Sequence, residues 1–234
     1  MKESMFVTIL LMALLLVHCQ KETTALQKEP PSYTPLAVGD EWQMVNLLDS
    51  STVDFKVVES RIRIDNLKVF AVVAKVGNVS SDTLFFAIKN GYLLNTNFYP
   101  LREANIPAFW YVYLARQFPR DEDIWFLSST DSNVTIQVKL HGKLTLPWGF
   151  VDQVFKFEVH NPIASYPLPV TYYAPGLGQV ATGSRLGQDD IRLEYICTFR
   201  KTGGKIFGKR WPEKLPDGDF KTETRVAYIL GIRW

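Results

Sequence analysis

Apolar and polar residues alternate with a period of two through most of this chain. Such alternation is typical of antiparallel strands that bury one face and leave the other in water. In the segment at residues 192–200, Cys197 falls on the apolar face and Arg200 on the polar face. The segments that show the alternation are residues 53–57, 134–140, 155–160 and 192–200.

Two further runs, at residues 69–74 and 84–88, are apolar at nearly every position. They predict central strands, or strands covered by another element. Turn signals separate the strands and give the spacing of a meander of many short strands. The sequence therefore predicts a mainly β fold, a curved antiparallel sheet with at most one or two short helices. The turn signals are Lys89-Asn90-Gly91, His141-Gly142, Pro147-Trp148-Gly149 and Lys201-Thr202-Gly203-Gly204.

Residues 105–118 fit either a helix or a strand. Asn105 is a good cap, Pro107 suits a first helical turn and Pro119 would end the helix. The aromatic and β-branched content of the segment favours a strand equally well. Because the segment is apolar nearly all round, it must be buried or lie across an apolar opening. The candidate ligand-facing aromatics are Phe109, Trp110, Tyr113, Phe155 and Phe157.

The C-terminal part contains a basic stretch and a final alternating run. Residues 201–222 are rich in Gly, Pro and Lys, which predicts a long basic loop. Residues 223–234 alternate again and predict a closing strand. The loop either is simply solvated or contacts an anionic surface. Its candidate contact residues are Lys205, Lys209, Arg210 and Trp211.

The first nineteen residues have the pattern of an export signal. An apolar run at residues 5–17 precedes Cys19 and a polar segment. The run matches a secretory signal and is too short to span a bilayer comfortably. We predict a signal peptide at residues 1–18 and lipid attachment at Cys19. Three alternatives stay open, because His18 is bulky for a lipoprotein signal peptidase: cleavage after Ala25, an uncleaved anchor, or an incidental cysteine.

Without the signal, about 200 residues remain, enough for one sizeable domain. Residues 19–34 are polar and carry prolines, so we predict a flexible, lipid-anchored tether before a single β-rich domain at residues 35–234. The chain has two cysteines. If Cys19 carries lipid, Cys197 has no disulfide partner within the chain, and stability must come from the core.

Candidate chemistry is sparse. A net charge of +2 gives no reason to expect a nucleic-acid partner. His141 and His160 lack partners at metal-ligand spacing, so no metal and no cofactor is predicted. No Gly-x-Ser-x-Gly elbow of a serine hydrolase occurs. Gly176-Leu177-Gly178 is better explained as a turn than as a nucleotide-binding loop, since strand-like sequence follows it.

Three short motifs carry a family resemblance. Residues 35–42, Pro-Leu-Ala-Val-Gly-Asp-Glu-Trp, resemble the start of a broad group of uncharacterised bacterial lipoproteins. Residues 172–180, Tyr-Tyr-Ala-Pro-Gly-Leu-Gly-Gln-Val, and residues 147–150, Pro-Trp-Gly-Phe, are similar to that group's later steps. The resemblance implies a strongly curved antiparallel sheet, a half-barrel or open barrel similar to lipoprotein carriers. It brings no catalytic residues.

The expected function is that of a non-enzymatic cell-envelope lipoprotein that holds lipid or another apolar ligand on the concave face of its sheet. The alternative is an envelope assembly or scaffold protein that binds a protein partner through strand edges. A hydrolase ranks third, since it would need His141 or His160 beside a carboxylate in a polar cleft. The expected location is the bacterial outer membrane, on its periplasmic or surface face, with the membrane itself as a partner through the N-terminal lipid.

Overall fold

The fold is described by a computed structural model that covers residues 30–62, 67–77, 80–95, 112–128, 133–165, 167–186 and 190–211. These residues form strands and turns, and none of them is helical. Nor does any described residue belong to a helix with the length and apolar character needed to cross a bilayer. The strands are β1 (Glu41–Asn46), β2 (Thr52–Ile62), β3 (Lys68–Val76), β4 (Ser80–Lys89), β5 (Tyr92–Asn95), β6 (Val112–Arg116), β7 (Ile124–Phe126), β8 (Thr135–Leu146), β9 (Gly149–His160), β10 (Leu168–Ala174), β11 (Gly178–Arg185), β12 (Ile191–Thr202) and β13 (Lys205–Gly208).

All strands join one antiparallel sheet that nearly closes into a barrel. The order is β6-β5-β4-β3-β2-β1-β12-β11-β10-β9-β8-β7, with β13 added on β12. The two ends of this order meet, because the backbone N–H of Tyr113 donates to Leu127 at 2.8 Å and Val112 bridges Ser128. Arg116 also forms an ion pair with Asp123 at 2.8 Å. The predicted mainly β fold with a curved antiparallel sheet is confirmed.

The alternating segments become strands as predicted, and the inner face of the sheet carries one hydrophobic cluster that includes Met44, Phe55 and Val138. The two fully apolar runs become β3 and β4, which are neighbours in the sheet. Both strands are buried on two faces. One face contributes to the inner cluster, and the other face, with Val69 and Ala87, contributes to a second, separate cluster. The prediction of central or covered strands is therefore confirmed.

Two local predictions are wrong for physical reasons. His141-Gly142 is not a turn, because β8 continues through it with an irregular register at Gly142, whose φ of 87° is typical of a bulge. Residues 201–208 are not a loop, because Gly203 and Gly204, both with positive φ, close a two-residue hairpin between β12 and β13. The turn signal at residues 201–204 is confirmed by this hairpin, whereas the loop predicted for residues 201–222 is wrong as far as residue 208.

The segment 105–118 is resolved in favour of a strand where the structure describes it. Residues 112–116 form β6, paired with β5, so the helix alternative is wrong for this part. Its aromatic and β-branched residues suit a pleated surface better than a helix. Residues 105–111, with Phe109 and Trp110, lie outside the described residues.

Other predictions also fall outside the described residues. These are the signal peptide at 1–18, Cys19, the tether up to residue 29, the basic loop beyond residue 211 and the closing strand at 223–234. They stay predictions.

A β-bulge in β12 reverses the predicted faces of its second half. Gln43 of β1 pairs with Phe199, but Met44 pairs with Cys197, so Thr198 is an extra residue. Cys197 remains inside and fully buried, as predicted. Beyond the bulge the alternation shifts by one, which moves Arg200 to the inner face, where it is only 2% exposed. The assignment of Arg200 to the polar face is wrong.

Candidate ligand site

The inside of the sheet is filled by side chains of the protein itself. Trp42 stacks on Phe55 with ring centroids 4.9 Å apart, and Phe157 packs edge-on against Tyr173 at the same separation. The cavity left among them has a volume of about 30 Å³, room for one or two water molecules. This cavity is too small for an acyl chain.

Three of the predicted ligand-facing aromatics, Phe157, Phe155 and Tyr113, lie in the described part of the chain, and these three do not share one surface. Phe157 is 2% exposed and packs between Trp125 and Tyr173. Phe155 is half-buried against Tyr33 at 5.4 Å. Tyr113 packs with the second cluster rather than with the inner one. Phe157 belongs to the main hydrophobic cluster, while Phe155 and Tyr113 are half-buried and pack against different clusters, so the structure does not bring these three together on one surface.

A larger groove of about 500 Å³ opens at one edge of the sheet. Two turns at this edge form it: residues 175–177, which join β10 to β11, and the β12–β13 hairpin. The segment before β1 completes it, since Gly176 donates its backbone N–H to Ser32 at 2.8 Å. We call this site the end groove. Its lining residues are Pro35, Pro175, Gly176, Leu177, Thr202, Gly203, Lys205 and Phe207.

The predicted anionic-contact residues separate into two groups. Lys205 and Lys209 are exposed, and Lys205 lines the end groove. Arg210 instead forms ion pairs with Glu41, at 2.6 Å, and with Asp54. These carboxylates neutralise its charge locally, so Arg210 holds the chain against the outer face of the sheet. Trp211 is half-exposed and is held by its backbone N–H, which donates to a side-chain oxygen of β1 at 2.7 Å.

His160 does lie beside a carboxylate, the arrangement that a hydrolase would need. Its Nε2 is 3.7 Å from Glu158, but Arg185 and Lys156 already form ion pairs with the same carboxylate. Burial raises the pKa of Glu158, and the hydrogen bond from Lys156 and the charge of Arg185 outweigh it, so the pKa is lowered. A carboxylate held by two cations is a poor base.

Both described histidines tend toward the neutral form. Burial, followed by the charge of Arg185, lowers the pKa of His160. Burial and the charge of Lys156 lower the pKa of His141, whose ring packs edge-on against Tyr172 at 5.1 Å. Neither histidine lines the end groove or the interior cavity. Among the described residues, no group of three or more His, Cys, Asp or Glu side chains could hold a metal ion.

Sequence reasoning missed two features of this region. The end groove depends on turns that meet only in the folded sheet, although Gly176, Gly178 and the Gly203-Gly204 pair marked both turns. Arg200 is buried because Thr198 is an extra residue in β12, and the alternation of apolar and polar residues gives no sign of a bulge at that point. The position of the bulge is set by the pairing of β12 with β1.

The chain matches no protein-family model and no curated protein. It is similar to two solved bacterial structures. One is a protein of Bacteroides fragilis described as exported and with a YmcC-like fold, at 11% identity and a TM-score of 0.42, covering 75% of this chain and 99% of the other. The second is a protein of Parabacteroides distasonis described as a lipoprotein, at 11% identity and a TM-score of 0.39, covering 76% of this chain and 100% of the other.

Proposed function

We propose that this protein is a non-enzymatic lipoprotein of the bacterial cell envelope that binds an amphipathic lipid with an anionic head in the end groove. The observation that carries the proposal is the groove itself, about 500 Å³ with apolar walls and a lysine. This volume lies within the range of ordinary small-molecule sites, about 300–1,000 Å³. The interior cavity, at about 30 Å³, does not.

The walls of the end groove suit an acyl chain. Pro35, Leu177 and Phe207 present apolar surface there, and Phe207 is half-buried without ligand. Each methylene group that leaves water for such a surface contributes about 0.8 kcal/mol. A chain that buries only part of its length would therefore bind usefully. The ligand thus lies at the edge of the sheet, not on its concave face.

The charge at the groove favours an anionic head group. Lys205 lines the groove and is exposed, so its ammonium group can reach a phosphate or carboxylate at the water boundary. One lysine near an anionic lipid surface contributes about 1 kcal/mol.

The predicted anchor would keep lipid within reach of the groove. Pro35 follows the polar segment 20–34 directly, and Cys19 precedes that segment. Tyr33 and Thr34 at the end of this segment are buried against the sheet, so the free part is residues 20–29, which would span roughly 30 Å when extended at about 3.1 Å each. The proposed location is therefore the outer membrane, with the groove supplied by lipid at the same surface.

Native mass spectrometry after gentle purification tests the proposal. The wild-type chain should carry a co-purified lipid mass, and Phe207→Ser should lose most of it because an apolar wall is removed. Ile163→Ser is the matched control, since Ile163 is 81% exposed and outside the groove, and this variant should retain the lipid. Lipid-free wild-type protein would overturn the proposal, as would equal lipid in both variants.

A second candidate function, binding of a protein partner in envelope assembly, is favoured by β13. The pairing shown for β13 within the described chain is with β12, and Ile206 on this strand is 65% exposed. A strand of this kind can accept a partner strand. Whole-cell crosslinking from residue 206 should then give one dominant protein adduct, whereas a lipid-binding role should give none.

A further inference from the structure

The described chain joins the barrel at one end, which we call the tether end. Residues 31–36 lie there, because the N–H of Gly176, in the β10–β11 turn, donates to the carbonyl of Ser32 at 2.8 Å. The N–H of Tyr33 donates to the carbonyl of Gln117, just after β6, at the same distance. The end groove opens at this end too, since Gly176 lines it. The predicted anchor and the groove therefore share one end of the barrel.

Three connections at the tether end expose large apolar side chains. Val38, before β1, is 56% exposed, Phe150, at the start of β9, is 68% exposed, and Ile206, on β13, is 65% exposed. A single exposed apolar residue is ordinary, but several at one end of a domain mark a contact surface when they lie close together.

The contacts of these three connections bring them together around the end groove. Asp40, in the same turn as Val38, accepts a hydrogen bond at 3.1 Å from the hydroxyl of Thr202, which lines the groove. The β8–β9 turn reaches β13, because a Cβ placed on Gly208 would lie 2.4 Å from the ring of Trp148. The three exposed apolar residues therefore belong to neighbouring parts of one surface.

Lysines accompany the apolar residues on this surface. Lys205 precedes Ile206 and Lys209 follows β13, and both are exposed. No carboxylate of the described chain forms an ion pair with either of them. Lys143 and Lys201 lie nearby, each beside one carboxylate, at 3.8 and 3.9 Å. The surface therefore combines apolar side chains with two uncompensated positive charges.

Other parts of the barrel ends do not have this charge. The β6–β7 connection, also at the tether end, carries Asp121, Glu122 and Asp123 against Arg120, so the basic surface is confined to the side of the end groove. The described connections at the opposite end contain two aspartates and no lysine or arginine. They are residues 47–51, 77, 127–128, 133–134, 161–165, 167, 186 and 190.

We propose that the groove side of the tether end rests on an anionic lipid bilayer, with Val38, Phe150 and Ile206 in the interfacial layer and Lys205 and Lys209 at the head groups. Apolar side chains bury area there, and lysines keep their ammonium groups at the water boundary. The acidic opposite end would be repelled by the same surface. This contact turns the mouth of the groove toward the bilayer. It does not rest on lipid binding in the groove, since it needs no bound ligand.

Spin labels on the full chain bound to vesicles test this orientation. Ile206→Cys labels the proposed contact, and Ile163→Cys, 81% exposed in the β9–β10 connection, labels the opposite end as the matched control. The wild-type chain treated with the same reagent gives the background from Cys19 and Cys197. On vesicles that contain phosphatidylglycerol, the label at residue 206 should lose access to a water-soluble nickel chelate severalfold. The label at residue 163 should keep its access.

Charge dependence identifies the partner as an anionic surface. On vesicles of phosphatidylcholine alone, or in about 1 M salt, where the Debye length falls to about 3 Å, the label at residue 206 should regain access. In the labelled chain, Lys205→Gln and Lys209→Gln should each lower the ratio of docked to undocked protein about fivefold. Lys75→Gln is the control, an exposed lysine of β3 near the opposite end, and should leave the ratio unchanged.

Three results would overturn the proposal. The label at residue 206 could stay fully accessible on vesicles with phosphatidylglycerol, both labels could be protected equally, or phosphatidylcholine alone could protect residue 206 as well as the anionic lipid does. Lipid-free protein in native mass spectrometry would overturn lipid binding in the end groove but not this contact, so the two proposals fail separately.

Discussion

Phe157→Ala tests whether the barrel interior is a packed core or a ligand space. The Phe157 ring is 2% exposed and packs edge-on against Trp125 at 5.8 Å and Tyr173 at 4.9 Å. Full burial of a phenylalanine contributes about 1.5–3 kcal/mol, and each aromatic pair adds about 0.5–1.5 kcal/mol. The cavity left behind costs more, so we expect a loss of about 3–5 kcal/mol in the free energy of unfolding.

The same strand offers the control. Phe150 lies on β9 as well but is 68% exposed, with Lys143 stacked over its ring at 4.9 Å. Phe150→Ala should cost about 1 kcal/mol or less. Equilibrium urea unfolding followed by circular dichroism measures both losses. If Phe157→Ala were no more destabilising than Phe150→Ala, the interior would be loosely filled, and a ligand on the concave face would again be favoured.

Three further predictions address the sheet, its buried ion pairs and the anchor. Gly183→Ala should cost about 1–3 kcal/mol in urea unfolding, because a Cβ there would lie 2.2 Å from the carbonyl oxygen of Arg192; unchanged stability would contradict this packing. Glu158→Gln should cost about 3–5 kcal/mol near pH 7, because Lys156, Arg185 and the more exposed Lys139 lose their shared counter-charge. Since the pKa of Glu158 is lowered by folding, the wild-type protein loses this advantage as the pH falls below about 4.3, and the difference in urea midpoint should shrink toward pH 3; a constant difference would contradict it. Burial raises the pKa of Cys197 to about 12, so this thiol should not react with a thiol reagent at pH 8 in the native protein. If Cys19 carries lipid, the native chain should therefore show no reactive cysteine and the unfolded chain should show one. One native and two unfolded thiols would contradict lipid attachment.

The fold class was predictable because a period of two in the sequence reports directly on a sheet with one buried face. The segments 53–57 and 155–160 show this, since their apolar positions point into the core of the folded sheet. The covered strands β3 and β4 were equally predictable from the sequence, because a run without polar residues cannot face water on either side. The near-closure of the barrel was harder to predict from the sequence, because it depends on contacts between the two ends of the strand order, such as the ion pair of Arg116 with Asp123.

The candidate sites were much less predictable, because both depend on register. The end groove forms where the 175–177 turn and the β12–β13 hairpin meet at one edge of the sheet, and neither turn specifies the other. The aromatic residues that suggested a ligand surface were chosen for their chemistry alone. Among the described ones, Phe157 is buried in the main cluster and the half-buried Tyr113 packs against the second cluster, so composition could not decide between packing and ligand binding.

One extra residue in β12 determines which side chains face the inner cavity and which face the outer surface. Because Thr198 is bulged, Arg200 faces inward and Phe199 faces outward. The outward Phe199 ring then lies 4.2 Å from the Arg210 guanidinium, which also pairs with Glu41. Without the bulge, Arg200 would be solvated and Phe199 would fill the cavity. The bulge at Thr198 therefore explains why Arg200 is buried inside the barrel and why Arg210 lies against the outer face of the sheet. Because Arg210 is held there, Lys205 is the cation of the described chain that lines the end groove.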